Sequence, residues 1–597
     1  MKMKIRDFAV VLFVVVLTLG RAPLRAAEGD EPPRPLSARG VENLVAFTRL
    51  LGYVRFFHPS DQAAAANWNQ VAIAGAQAAE PAVNPADLAR TLEDFFRPLA
   101  PTVRVFPGGD RPGLPPDLLP PANPEVVFWV HHGVTLSQDP QSVYQSARVT
   151  QQGAPPPETG VPVPGEPLVV SLGAGVSALV PLSLYKDGGG TLPHVDPGVQ
   201  PPTPDKPAGF VPSGNDRATR LADVALAWST FQHFYPYFDV VKVDWPGELR
   251  RALIAAAKAR DARAFLDVLR LLVAALQDGH GNVFHASQSL GYQIPLNWDW
   301  VQNRLVITAV DPARAGGLVR GDVVLSLNGR PVQQAIAAEE KLTSAATPQW
   351  KRWHALQFLL AGAQDEEVRL KVQRARGGVA NVVLRRSVPW RGEIQEPRPE
   401  KIAEVRPGIF YVDINRISDQ DFTAALPELA AARGIVFDLR GYPNHVSIRP
   451  LQHLTGEPAR SAIFNIPEIT LPDRRNLHFD DGGWPLQPQS PQLTGNVAFL
   501  TDGRAISYAE TYMGIVEAFH LAAIVGGTTA GTNGNINPFT LPGGYNVVWT
   551  GMQVLKQDGS RHHGVGIHPT VPVSRTLKGV IEGRDEVLER GIAVVDQ

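Results

Sequence analysis

Residues 46–106 and 227–284 follow one pattern, so whatever this chain folds into must build one helical unit twice. Each copy opens with an aromatic-rich helical stretch, Tyr53-Val54-Arg55-Phe56-Phe57-His58-Pro59 in the first and Phe231-Gln232-His233-Phe234-Tyr235-Pro236 in the second. Pro59 precedes Trp68 by nine positions, and Pro236 precedes Trp245 by nine. Ala-rich and then Leu/Phe-rich helical patterns follow (88–99 and 265–276), and each copy closes in a short strand, Val103–Phe106 and Asn282–Phe284. The copies differ just ahead of that strand. The second carries Asp278-Gly279-His280, where the first has Ala100-Pro101-Thr102. A duplicated module that kept a polar turn in one copy singles out His280.

At 597 residues the chain exceeds what one hydrophobic core organises, so several domains are expected. Its 56 Lys and Arg nearly balance 58 Asp and Glu, which argues against nucleic acid as a partner. Lys2, Lys4 and Arg6 precede an apolar run over 8–20 and the small residues Ala26 and Ala27. That order reads as a secretory signal over 1–27, with a periplasmic or secreted destination; left uncleaved, it would anchor the chain. The run is too short to span a bilayer comfortably, so no membrane span is expected after cleavage. With no cysteine, the chain has no disulfide, thiol nucleophile or lipidated cysteine.

Between the copies, 126–130, 142–150 and 168–185 read as strands of a small β module (120–186), and 187–215, rich in Pro and Gly, reads as a linker. After the second copy come the apolar strand 304–310, a short helix over 312–318, and Gly321-Asp322-Val323-Val324-Leu325-Ser326-Leu327-Asn328-Gly329. A Gly-Asp turn into a buried strand closed by Asn-Gly resembles a bacterial PDZ domain, assigned to 289–390. Such a module offers a strand edge to a peptide. From residue 400 onward, strands (408–414, 434–439, 497–501, 522–526) alternate with helices (422–433, 508–519), as in an α/β domain.

Ser507 lies where the apolar strand 497–501 has turned through Asp502-Gly503-Arg504 and the next helix begins. A hydroxyl there sits beside free N–H groups at the positive end of the helix dipole, which suits an alkoxide. The same residues also read as a capping box, with Ser507 capping and Glu510 reaching back.

Wider context bears on that choice. The strand 434–439 runs into Arg440-Gly441-Tyr442-Pro443-Asn444-His445; Gly526-Gly527-Thr528-Thr529-Ala530-Gly531 forms a Gly/Thr loop; Gly564-Val565-Gly566-Ile567-His568-Pro569 follows. With Ser507-x-x-Glu510, these four ordered motifs resemble the tail-specific, C-terminal-processing and tricorn-like serine peptidases, over roughly 221 to the C-terminus. The resemblance implies a multidomain α+β fold: helical modules (36–110 and 216–288), the small β module, the PDZ-like domain, and a ClpP/crotonase-like α/β catalytic domain (400–597). It also implies Ser507 as nucleophile. One branch of the family draws its base from a lysine after the serine helix; Thr532 and Asn533 stand there in this chain. The tricorn-like branch uses a histidine ahead of the PDZ domain, which implies His280, with His285 its nearest competitor and His562 and His563 as further possibilities. Glu510 matches the family acid and either orients the site or merely caps the helix. The oxyanion hole is expected from backbone N–H groups of Tyr508, Asn444 and Gly441, although Asn444-His445 replaces the family's Gly-Gly. The expected activity is peptide-bond hydrolysis of proteins or peptides, without metal or cofactor. The alternative is a peptidase-like scaffold that binds peptides without turnover.

Overall fold

A computed structural model describes residues 29–108, 112–113, 118, 124–136, 142–390 and 394–597. The expected signal over 1–27 lies outside the described residues. No helix among the described residues is long and apolar enough to cross a membrane.

Both repeat copies form three principal helices and a strand. The first is Ala38–Phe57, Trp68–Ala79, Pro85–Phe96 and Arg104–Pro107; the second is Arg217–Phe234, Trp245–Lys258, Ala262–Ala274 and Asn282–Phe284. In each copy an Asn or Asp side chain caps the helix that opens on Trp68 or Trp245, by accepting the N–H two positions past that Trp. The copies do not fold apart. Phe56 meets Phe234 edge-on at 4.9 Å, Phe57 meets His233 at 5.1 Å, and helices from both copies share one core. The aromatic ends that make the repeat visible in sequence are thus the surfaces that join its halves.

The expected small β module is divided between neighbours. Val176–Val180 pairs with Arg104–Pro107 of the first copy on one edge and with Leu168–Gly173 on the other. Strand Glu125–His132 pairs with Gln145–Gln152 and Ser183–Asp187, and its far end meets Ile463–Ile469 from the C-terminal half. A strand with free N–H and C=O groups on its edge is satisfied by whatever strand arrives there.

Residues 296–385 form the sheet Leu296–Val301, Arg304–Val310, Val323–Leu327, Glu367–Gln373 and Val379–Arg385, with helices Val332–Lys341 and Pro348–Leu360. The helix expected over 312–318 is instead a run of turns. Gly316 and Gly317 both take positive φ (59° and 74°), which no α-helix accommodates in succession.

The C-terminal sheet runs Ile402–Arg406, Ile409–Asp413, Gly434–Asp438, Asn496–Thr501, Ala523–Gly526 and Val571–Pro572, parallel from its second strand onward. Helices Asp419–Ala431 and Tyr508–Ala518 cover one face and Glu586–Val595 the other, so the middle strands are buried on both sides. In open α/β sheets, ligands gather at the carboxyl ends of such strands. Here those ends lead into residues 439–445 and 502–507.

Candidate active site

Strand Asn496–Thr501 ends in a turn held by Asp502, which accepts from the N–H and guanidinium of Arg504. Three residues on, Ser507 adopts φ 58° and ψ −118°, a conformation that side-chain-bearing residues rarely occupy. It is held there from both sides. Its N–H donates to the Thr532 carbonyl at 2.9 Å, and its own carbonyl accepts from the N–H groups of Glu510 and Thr511. Strain stored at a serine between a strand and a helix is the mark of a nucleophile elbow, which presents the hydroxyl clear of the backbone.

The capping-box alternative is not what forms. The Ser507 side chain accepts no helix N–H, and Glu510 does not reach back to it. Glu510 is 1% exposed and accepts from the N–H groups of Gly531 and Thr532, each at 2.7 Å, and from the Thr529 hydroxyl. His562 Nε2 lies 3.2 Å from its second oxygen. Glu510 therefore positions the loop whose Thr532 carbonyl fixes Ser507; it acts on the serine through that loop.

Thr532 also holds the other turn. Its hydroxyl accepts the Gly279 N–H at 3.0 Å, while the Trp350 indole donates to the Gly279 carbonyl. A Cβ on Gly279 would stand 2.5 Å from the Thr532 hydroxyl oxygen, so only glycine permits this approach. The turns carrying His280 and Ser507 are thereby tied to opposite sides of one threonine. Among the described residues, no hydrogen bond joins the Ser507 hydroxyl to a histidine; that hydroxyl faces the phenol of Tyr442, whose pKa burial raises and Ser507 partly lowers.

Strand Asn282–Phe284 pairs antiparallel with Asn546–Val548, Asn282 opposite Val548. Continued two residues, that register puts Thr550 opposite His280. The Thr550 hydroxyl donates to Asp278 Oδ1 at 2.7 Å, and its N–H donates to Asp278 Oδ2 at 2.6 Å. Its oxygen lies 2.9 Å from His280 Nδ1. Because the single hydroxyl proton goes to the carboxylate, Nδ1 must carry the imidazole proton. Nε2 is then the basic nitrogen. Burial lowers the His280 pKa, and the nearby charges of Asp278 and Glu510 pull it back up.

The other candidates fall as follows. His285 is stacked on Tyr545 at 4.0 Å and its Nδ1 engages Ser287, so both faces of its role are structural. His563 stacks on Tyr237 and bonds the Gln277 carbonyl; burial lowers its pKa to about 4. Lys556 pairs with Glu517, and Lys578 lies 3.7 Å from Glu582. Asp438 accepts from Arg440, which also grips Asp585, and this pins the turn leading to Gly441. The backbone N–H groups of Gly441, Asn444 and Tyr508 carry no hydrogen bond to the described residues, and the Tyr442 and Tyr508 rings lie 6.3 Å apart. Sequence reasoning passed over Thr532, Thr550, Asp278 as a partner, and Tyr442.

Residues 468–573 match the model of peptidase family S41. Among solved structures, a mutant form of CPAF is similar with a TM-score of 0.54 and 14% identity, over 64% of this chain and 97% of that one. Mature CPAF complexed with lactacystin is similar with a TM-score of 0.52 and 13% identity, over 63% and 97%. At such identities the likeness is one of fold. No curated protein sequence matches the chain. The matched region contains the strained Ser507 turn, the Glu510-held loop and the closing Gly564–Pro569 segment, and on that footing this part of the chain is that of a serine-type peptidase similar to peptidase family S41, the tail-specific and C-terminal-processing peptidases.

Proposed function

We propose that the protein is an exported endopeptidase in which Ser507 is the nucleophile and His280 the general base. The observation that carries this reading is the chain Asp278–Thr550–His280, which leaves Nε2 as the basic nitrogen on a turn tied through Thr532 to Ser507. His280 Nε2 takes the Ser507 proton as the oxygen attacks the scissile carbonyl carbon. The oxyanion is received by the unbonded N–H groups of Tyr508 and of the Gly441–Asn444 turn. The imidazolium then gives its proton to the leaving amine, and water, deprotonated by the same nitrogen, hydrolyses the acyl-Ser507 ester. Asp278, reached through the Thr550 hydroxyl, stabilises the imidazolium. The Tyr442 ring, which faces the serine, adjoins the ring of Tyr508 and, beyond it, that of Trp484, which supports a preference for apolar or aromatic substrate side chains.

The sheet over 296–385 supports a PDZ-like role in recruiting peptides along an open strand edge, and the basic–apolar–small N-terminal order supports export. One observation favours the scaffold reading: Ser507 hydrogen-bonds no histidine among the described residues. Digestion of a peptide mixture, read by mass spectrometry, separates the two. The enzyme reading predicts internal cleavages by the wild type and none by Ser507→Ala. Peptide binding without any cleavage would leave the scaffold.

A further inference from the structure

We propose that His132, Glu468 and Asp480 form a binding site for a divalent transition metal, with zinc the best match, at a seam between the N-terminal and C-terminal halves of the chain. The three residues come from three adjacent strands. His132, the last residue of Glu125–His132, stands directly opposite Glu468 of Ile463–Ile469. Glu468 in turn stands opposite His478 of His478–Gly482, and Asp480 is two residues along that strand, on the same face. Directly opposed residues have Cβ atoms about 5 Å apart, so the register itself gathers these side chains. One ligand atom from each of His132, Glu468 and Asp480 lies within 4.8 Å of the others, and His132 Nδ1 is already 2.8 Å from Asp480 Oδ2.

The donor set selects the ion. One imidazole nitrogen and two carboxylate oxygens suit zinc and its neighbours, whereas calcium and magnesium prefer six or more oxygens. Metal–ligand distances of about 2.0–2.2 Å put donors roughly 3.5 Å apart, a contraction that side-chain rotation at a half-buried site supplies. Three protein ligands leave a fourth position for water.

The site lies where a clamp has an effect. Strands Glu125–His132 and Ile463–Ile469 share just two residue pairs, His131 with Ile469 and His132 with Glu468. An ion bound by both strands and by His478–Gly482 would close that short seam, and its binding energy would add to folding stability. Among the described residues, no hydrogen bond joins His132 or Asp480 to the residues that hold Ser507 or His280.

The test is zinc binding by the full chain after chelation and dialysis, followed by calorimetry, metal analysis, and thermal unfolding with and without ZnCl2. The wild type should bind one equivalent, gain thermal stability from it, and show intense visible bands when Co2+ is substituted. His132→Ala and Asp480→Asn should each weaken binding at least about tenfold and lose the thermal gain, with peptidase activity unchanged. Asp480→Asn keeps the side-chain shape at an exposed position, so it guards against a folding artefact in His132→Ala. Wild-type binding no tighter than that of His132→Ala would leave a surface ion pair and overturn the proposal. So would a loss produced by His478→Ala in place of His132→Ala.

Discussion

The two repeat copies reach their closing turns by nearly the same route and then use them in opposite ways. In the first copy, Thr102 is buried and its hydroxyl meets His58 Nε2 at 2.8 Å, while Ser60, beside His58, donates to the Leu99 carbonyl. In the second, Tyr235 stands where His58 does and donates to the Leu276 carbonyl, and one extra residue, Gln277 at φ 51°, re-aims the chain. The following strands then choose different partners. Arg104–Pro107 pairs with Val176–Val180, and Asn282–Phe284 pairs with Asn546–Val548. Continuing each register back to the turn puts Pro181 opposite Thr102 but Thr550 opposite His280. A proline offers no donor and a threonine offers a hydroxyl, so only the second turn gains a relay to a buried carboxylate. One module thus serves once as packing and once as the carrier of the proposed base.

The largest effect should come from breaking that asymmetry directly. His280→Ala should lower kcat/KM by about 10⁴-fold, whereas Thr102→Ala should leave activity intact and cost about 1–3 kcal/mol of stability. Steady-state kinetics beside thermal melts reads both. Gly279→Ala, which drives a Cβ toward Thr532, should cost on the order of a hundredfold by misplacing the base, with Pro101→Ala, its first-copy counterpart, close to neutral. Thr550→Val should lower kcat about tenfold with little change in KM, and Thr550→Ser should restore most of it. A purely structural Thr550 would show no such rescue, or a change in stability alone.

The smallest effects are pH-dependent. Burial lowers the His280 pKa, so the acid limb of kcat/KM should fall below the ordinary histidine value near 6.5. Burial also lowers His58 to about 3 and His131, His233 and His563 to about 4. Their unfolded forms take up protons that the folded forms refuse. The stability they contribute is therefore full above about pH 6.5 and is lost as pH falls toward 4, by up to about 1.4 kcal/mol per pH unit for each. Melting of Ser507→Ala across that range checks it, and a flat profile would contradict it.

What was legible in the sequence was local. The repeat, the Asp278-Gly279-His280 turn and the Ser507 turn are each written in contiguous residues, and the alternation after residue 400 announces its sheet. The capping-box option at Ser507 was a fair reading of Ser-x-x-Glu, but the positive φ of Ser507 and the pull of the 529–532 loop on Glu510 turn both side chains away from it. The helix over 312–318 failed on two consecutive glycines. Thr550 and Thr532 were invisible because their partners lie 270 and 253 positions away. For the same reason no metal cluster could be read from His132, Glu468 and Asp480, which only strand register brings together.

The central claim is that the second copy's turn, and not the first's, supplies the base that activates Ser507. Labelling of the protein by a fluorophosphonate probe tests it most directly, comparing wild type, Ser507→Ala, His280→Ala and Thr102→Ala, all confirmed folded. The account predicts labelling of the wild type and of Thr102→Ala, and none of Ser507→Ala or His280→Ala. Undiminished labelling of His280→Ala would place the base elsewhere and contradict it.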